Sequence, residues 1–143
     1  MNRLCDRLFE LANESLKNNE FPVSAIIYDD KFNIIGEGYN CRNKTNVTTD
    51  HAEIIAIQKA NSTIKSWRLE NYNMIVTLEP CEMCKNVIKE SRLNKVYYLV
   101  QRLDYKKISN KTDIIKLKIE DEINSKKIEN YKHILSDFFV DKR

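Results

Sequence analysis

The chain has 143 residues, 42% apolar and 31% charged, the composition of one soluble globular domain spanning residues 1–143 with enough length for a core. No apolar run approaches the length of a membrane span, and the start Met1-Asn2-Arg3-Leu4-Cys5-Asp6 lacks a secretory core, so neither a membrane span nor a secretory signal is expected in these residues. Net charge is +3: residues 1–100 carry 13 basic and 13 acidic side chains, and residues 101–143 carry 11 and 8. That mild basic tail is compatible with a nucleic-acid partner, although an ordinary solvated face has the same charge.

In chain order, Leu4, Leu8, Leu11, Ala12 and Leu16 recur at helical spacing and predict an amphipathic helix over 2–18, closed by Asn18-Asn19-Glu20 and Pro22. Residues 23–28 read as a central strand, Asp29-Asp30-Lys31 as a turn, and residues 32–38 as its hairpin partner. The only glycines, Gly36 and Gly38, fall there. A bulge or sheet bend suits Gly36; for Gly38 a bulge or bend and a close backbone approach at a pocket rim are both open. Residues 39–50 form a polar loop, in which Asn40 carries both a donor and an acceptor, suited to a base edge.

Residues 52–62 predict a largely buried helix, 73–78 a third strand, 82–91 a third helix and 95–100 a fourth strand. Trp67, in the connector, is expected in the core or at a dimer contact. The run around Ile114, Ile115, Leu117 and Ile119 fits either a helix or a fifth strand. A last helix is predicted over 131–140.

Two short motifs carry the chemistry. Asp50-His51-Ala52-Glu53 is followed, 27 residues after the Glu, by Pro80-Cys81-Glu82-Met83-Cys84. One imidazole and two thiolates suit a tetrahedral zinc with a position left open for water. Zinc lowers the pKa of such a water to about 7, supplying hydroxide for attack on an amine-bearing ring carbon. A carboxylate that does not bind the metal can then carry protons to the ring nitrogen and to the departing ammonia, and Glu53 fits that role. His51 and Glu53 are too far apart in angle to share a mid-helix face, so both belong at a helix entry. Cys81 and Cys84 fall on one face of a helical turn, and Pro80 marks its start. A Cys-x-x-Cys alone is equally a redox pair or half of a structural zinc site. The complete His-x-Glu with Pro-Cys-x-x-Cys favours an open catalytic site of the zinc base-deaminase type. With Cys81 and Cys84 on the metal, Cys5 and Cys41 suggest no disulfide framework, which points to the reducing cytoplasm.

Over nearly its whole length the chain resembles the bacterial-type tRNA adenosine deaminases of the cytidine-deaminase-like superfamily. The resemblance rests on Pro22-Val23, Ile35 to Asn40, His51 to Ile54, Val76 to Cys84, Ser91-Arg92 and Leu135-Ser136-Asp137-Phe138-Phe139. It implies a three-layer α/β/α sandwich around a five-stranded mixed sheet, one zinc per subunit, and a homodimer with the active site near the subunit boundary. It also implies conversion of a tRNA anticodon's wobble adenosine to inosine. Carried over by position, His51, Cys81 and Cys84 bind zinc and Glu53 is the proton shuttle. Asn40, the Ala52 amide and Pro80 contact the flipped base, and Phe138, Phe139, Lys142 and Arg143 flank the anticodon loop. The chain departs from the family at Asp50, at Val47-Thr48-Thr49 and in the glycine-free stretch 101–112, all of which bear on RNA contacts. A deaminase of a free base or nucleoside (guanine, adenine or cytosine) would share every zinc residue. A non-catalytic binding subunit is the third reading, and the presence of Glu53 argues against it.

Overall fold

The structure is a computed structural model that describes residues 1–102, 114–117 and 122–141. Its elements in order are α1 Asn2–Lys17, β1 Ser24–Tyr28, β2 Ile34–Tyr39, α2 Arg42–Thr45, α3 Ala52–Ile64, β3 Asn73–Leu78, α4 Glu82–Ser91, β4 Lys95–Val100, β5 Ile114–Lys116 and α5 Glu122–Asp141. The five strands form one sheet in the order β2-β1-β3-β4-β5. β1 is antiparallel to both β2 and β3, whereas β3–β4 and β4–β5 are parallel, so the sheet is mixed.

Alternation along β2 shows which helix covers which face. A Cβ on Gly36 would lie 2.5 Å from the Ala56 carbonyl oxygen, and one on Gly38 would lie 2.6 Å from that of Ala52, so α3 rests directly on this side of the strand. Glu37, between them, points the other way and forms a two-point ion pair with Arg7 of α1: Nε to Oε2 at 3.0 Å and Nη2 to Oε1 at 2.6 Å. α3 and α4 therefore cover one face, while α1 and α5 cover the opposite one. Both glycines have negative φ, so what they supply is space for α3. The irregularity in the hairpin lies elsewhere, where Tyr28 pairs with Ile34 and Ile35 is left over.

The core follows from this layering. Ala25, Ile26 and Ile27 of β1 and Met74, Ile75 and Val76 of β3 are fully buried, covered on both faces. Leu4, Leu8 and Leu11 present the apolar stripe of α1 to one side, and Ala52, Ala56 and Ala60 let α3 approach closely on the other.

Several expectations shift. The second strand begins at Ile34 instead of residue 32, because Phe32 adopts φ 63° in a turn held by the Asp29 carboxylate, which accepts the Lys31 and Asn33 backbone N–H groups. Of the ambiguous Ile114 run, Ile114–Lys116 form a strand parallel to β4, and Ile119 lies outside the described residues. The last helix begins at Glu122, not Tyr131. Its first turns are secured to α1 by Asn124 Nδ2 donating to Asn2 Oδ1 at 2.9 Å and by a Lys127–Asp6 ion pair. Trp67 is not a core residue: it is 58% exposed, with the Arg68 guanidinium 5.2 Å from its ring centre.

Candidate metal centre and base pocket

Each metal-site motif is delivered at the start of a helix. His51 is the N-cap of α3, with extended backbone at φ −80° and ψ 151°, and Glu53 lies in the first turn. Cys81 is the N-cap of α4, at φ −72° and ψ 171°, so the ligand turn follows β3 directly. Pro80 suits that entry, since its missing N–H would have no helical partner. The two helices thus bring their positive ends to one point, an arrangement that favours thiolates.

His51 Nδ1 lies 3.7 Å from Cys81 Sγ and 3.5 Å from Cys84 Sγ, and the three donor atoms lie within 4.8 Å of one another. This spacing can be tested against the metal. Bonds of about 2.3 Å to sulfur and 2.0 Å to nitrogen at a tetrahedral angle place S and N about 3.5 Å apart. Both imidazole–thiol separations therefore match a tetrahedral zinc. Among the described residues these three form the metal-competent group, and no fourth His, Cys or carboxylate joins them.

The electrostatics agree with a site built for a cation. Hydrogen bonding from Cys84, together with His51, brings the Cys81 thiol down to about 3, against 9.0 for an ordinary cysteine. Cys84 is pushed up, chiefly by its hydrogen bond to Cys81 and by burial. His51 is raised, first by its hydrogen bond with Cys81. Glu53 is only 4% exposed, and burial raises its carboxyl above the ordinary glutamate value, the direction expected of a group that takes up and releases a proton.

Asn40 opens the loop that leads to His51, and its neighbour Cys41 donates its backbone N–H to the Asp50 carbonyl at 3.2 Å. The Asn40 backbone N–H donates to Val23 O at 2.9 Å, its Nδ2 donates to Phe21 O at 3.3 Å, and its carbonyl accepts from Ser15 Oγ at 2.9 Å. Its Oδ1 is buried with no hydrogen-bond partner among the described residues. An orphaned buried acceptor on an otherwise fixed amide is suited to a donor from outside the chain. Ala52 and Pro80 are both buried beside the ligand helices. Phe138 is half-buried, its ring 5.6 Å from that of Phe21. Phe139 lies in α5, but its side chain, like Lys142 and Arg143 entirely, falls outside the described residues.

Two features had no signal in the sequence. Glu20 is 1% exposed, and its Oε1 accepts the Lys44 backbone N–H at 2.7 Å, holding the loop between Asn40 and His51. Lys85, next to Cys84, is buried against Glu79 at 3.3 Å. A lone charged residue near a motif reads as solvated until its tertiary partner is known.

A mixed five-stranded sheet whose helix starts converge on one imidazole, two thiols and a buried carboxylate defines a zinc-binding deaminase-type domain. The family model for the cytidine and deoxycytidylate deaminase zinc-binding region matches residues 1–100, and the chain belongs to this family. It is 39% identical over 134 residues to the tRNA-specific adenosine deaminase of Buchnera aphidicola subsp. Schizaphis graminum, covering 89% of this chain and 85% of that protein. It is 43% identical over 89 residues to the tRNA-specific adenosine deaminase of Haemophilus influenzae, covering 62% of this chain but only about half, 51%, of that one. Among solved structures, one from a study of A-to-I editing by tRNA:A34 deaminases aligns with TM-score 0.73 and 24% identity, covering 81% of this chain and 98% of that chain. At that identity the structural likeness shows the fold.

Proposed function

We propose that this protein hydrolyses adenosine to inosine at the wobble position of a tRNA anticodon, using one zinc held by His51, Cys81 and Cys84. The observation that carries the chemistry is the fit of three donor atoms to a tetrahedral ion with Glu53 buried beside them. The choice of a tRNA substrate is supported by the Buchnera relative, which is named for that activity and aligned over most of both chains.

When bound, zinc supplies Lewis acidity that brings the pKa of water to about 7. The remaining chemistry belongs to the chain. Glu53 takes a proton from the attacking water and passes it to N1 of adenine as the C6–O bond forms. It then delivers the second proton to the amine, so that ammonia leaves and C6 becomes a carbonyl. Asn40 Oδ1 accepts a hydrogen bond from the base, the Ala52 amide and Pro80 contribute to its seat, and Phe138, Phe139 and Arg143 flank the anticodon loop. An anticodon base is already splayed, so its extrusion costs less than opening a duplex. The domain acts in the cytoplasm as a homodimer.

The test is to incubate the purified protein with an anticodon stem-loop bearing a wobble adenosine, and separately with adenosine, adenine, guanine and cytosine. Digestion of the RNA to nucleosides should reveal inosine, with the free compounds unchanged. Turnover of a free base or nucleoside alone would instead establish the small-molecule reading.

A further inference from the structure

Lys85 is a buried lysine that the proposed chemistry does not use. Its side chain is 7% exposed, and its Nζ lies 3.3 Å from Oε2 of Glu79, which is 9% exposed. The pair straddles the zinc-ligand turn: Glu79 is two residues ahead of Cys81, and Lys85 directly follows Cys84.

The contacts form a closed clasp. The Lys85 backbone N–H donates to the Cys81 carbonyl at 2.9 Å, the first hydrogen bond of α4. Its side chain reaches back to Glu79. Glu79 is itself fixed, because its backbone N–H donates to Val100 O at 2.8 Å and its Oε1 accepts the Arg102 N–H at 3.4 Å. The segment leaving β3, the end of β4 and the first turn of α4 therefore meet at this one glutamate. Glu82, next to Cys81, places Oε1 4.0 Å from the same Nζ, and that oxygen has no hydrogen-bond partner among the described residues.

We infer that the Glu79–Lys85 pair is a positioning device for the metal site, holding the Cys81–Cys84 turn at its distance from His51 so that the donors are set before the ion arrives. An open turn could drift relative to α3, because His51 is carried on a different helix. Preset donors bind a metal without an ordering cost, and outer-shell groups that preset them govern affinity. The inference rests on the zinc reading of His51, Cys81 and Cys84.

The test compares full-length wild type, Lys85→Met, Glu79→Gln and the double variant, each stripped of metal, checked for folding and titrated with Zn2+ against a chelator. The visible spectrum of each Co2+-loaded form reports tetrahedral thiolate coordination. Each single variant should bind Zn2+ about 10-fold to 100-fold more weakly, with an altered Co2+ spectrum. The double variant removes both members of the buried pair together, and should stay folded and still bind more weakly than wild type. Wild-type affinity and spectrum in the folded double variant would overturn the inference, leaving the pair a plain stabilising contact. Failure of the wild type to bind one zinc would instead overturn the metal reading itself.

Discussion

The hydroxyl of Tyr131 donates to the Pro22 carbonyl at 2.7 Å and lies 3.0 Å from Thr77 Oγ1, joining α5 to β3 and to the segment entering β1. Thr77 Oγ1 also accepts the Ser24 backbone N–H at 3.2 Å. The ring is 2% exposed, and burial raises its phenol above the ordinary tyrosine value. This one side chain fixes the last helix against β3, the strand that leads to Glu79 and the Cys81 turn, and against the segment entering β1. Tyr131→Phe keeps the packing and removes the hydroxyl. It should lower unfolding free energy by about 1–2 kcal/mol in urea titrations, and an unchanged midpoint would mean that α5 is held by packing alone.

Gly38 tests how tightly α3 sits. A Cβ there would lie 2.6 Å from Ala52 O and 2.8 Å from Ala56 N, both backbone atoms that cannot rotate away. Gly38→Ala must therefore push away the helix end that carries His51 and Glu53. The expected cost is about 1–3 kcal/mol of stability, with weaker zinc binding by chelator competition. A variant matching wild type in both would show that the strand and helix separate freely.

Arg7 and Glu37 set an acid limb. Hydrogen bonding from Arg7 holds the Glu37 carboxyl below its ordinary 4.5. A carboxylate depressed in the folded state contributes stability above its unfolded pKa and loses it as pH falls through the folded value. Both side chains are partly exposed, so the contribution at neutral pH is about 0.5–1 kcal/mol. Glu37→Gln should be less stable than wild type by that amount at neutral pH, and the gap should close well below pH 4.5. A gap that persists into acid would assign the difference to packing.

Glu53→Gln separates metal from chemistry. The amide keeps the shape but cannot shuttle a proton, so the variant should retain one zinc per chain and lose at least about 100-fold in turnover of the stem-loop. Activity within about tenfold of wild type would remove Glu53 from the proton path.

The sequence revealed local chemistry better than long-range contacts. His51 and Glu53 cannot share a mid-helix face, and that angular argument led to a helix entry, which the N-cap geometry of α3 bears out. The strands of the central sheet were legible because β1 and β3 are buried on both faces and are correspondingly apolar. Ile114–Lys116 was ambiguous because a short apolar run fits both periods, and only pairing with β4 decides it. The first nine residues of α5 were missed because they are mostly polar and are held by contacts to α1 more than 100 positions away. Glu20 is buried against a backbone N–H 24 positions away, which no window along the chain contains, and Lys85 is buried against Glu79 across a turn whose path the spacing alone does not set.

X-ray absorption at the zinc edge of the loaded protein measures the coordination shell itself. The geometry predicts two sulfur neighbours at about 2.3 Å, one imidazole nitrogen, and one further light atom exchangeable with solvent. A third sulfur, or a fourth ligand drawn from the protein, would close the position on which the proposed hydrolysis depends and would contradict it.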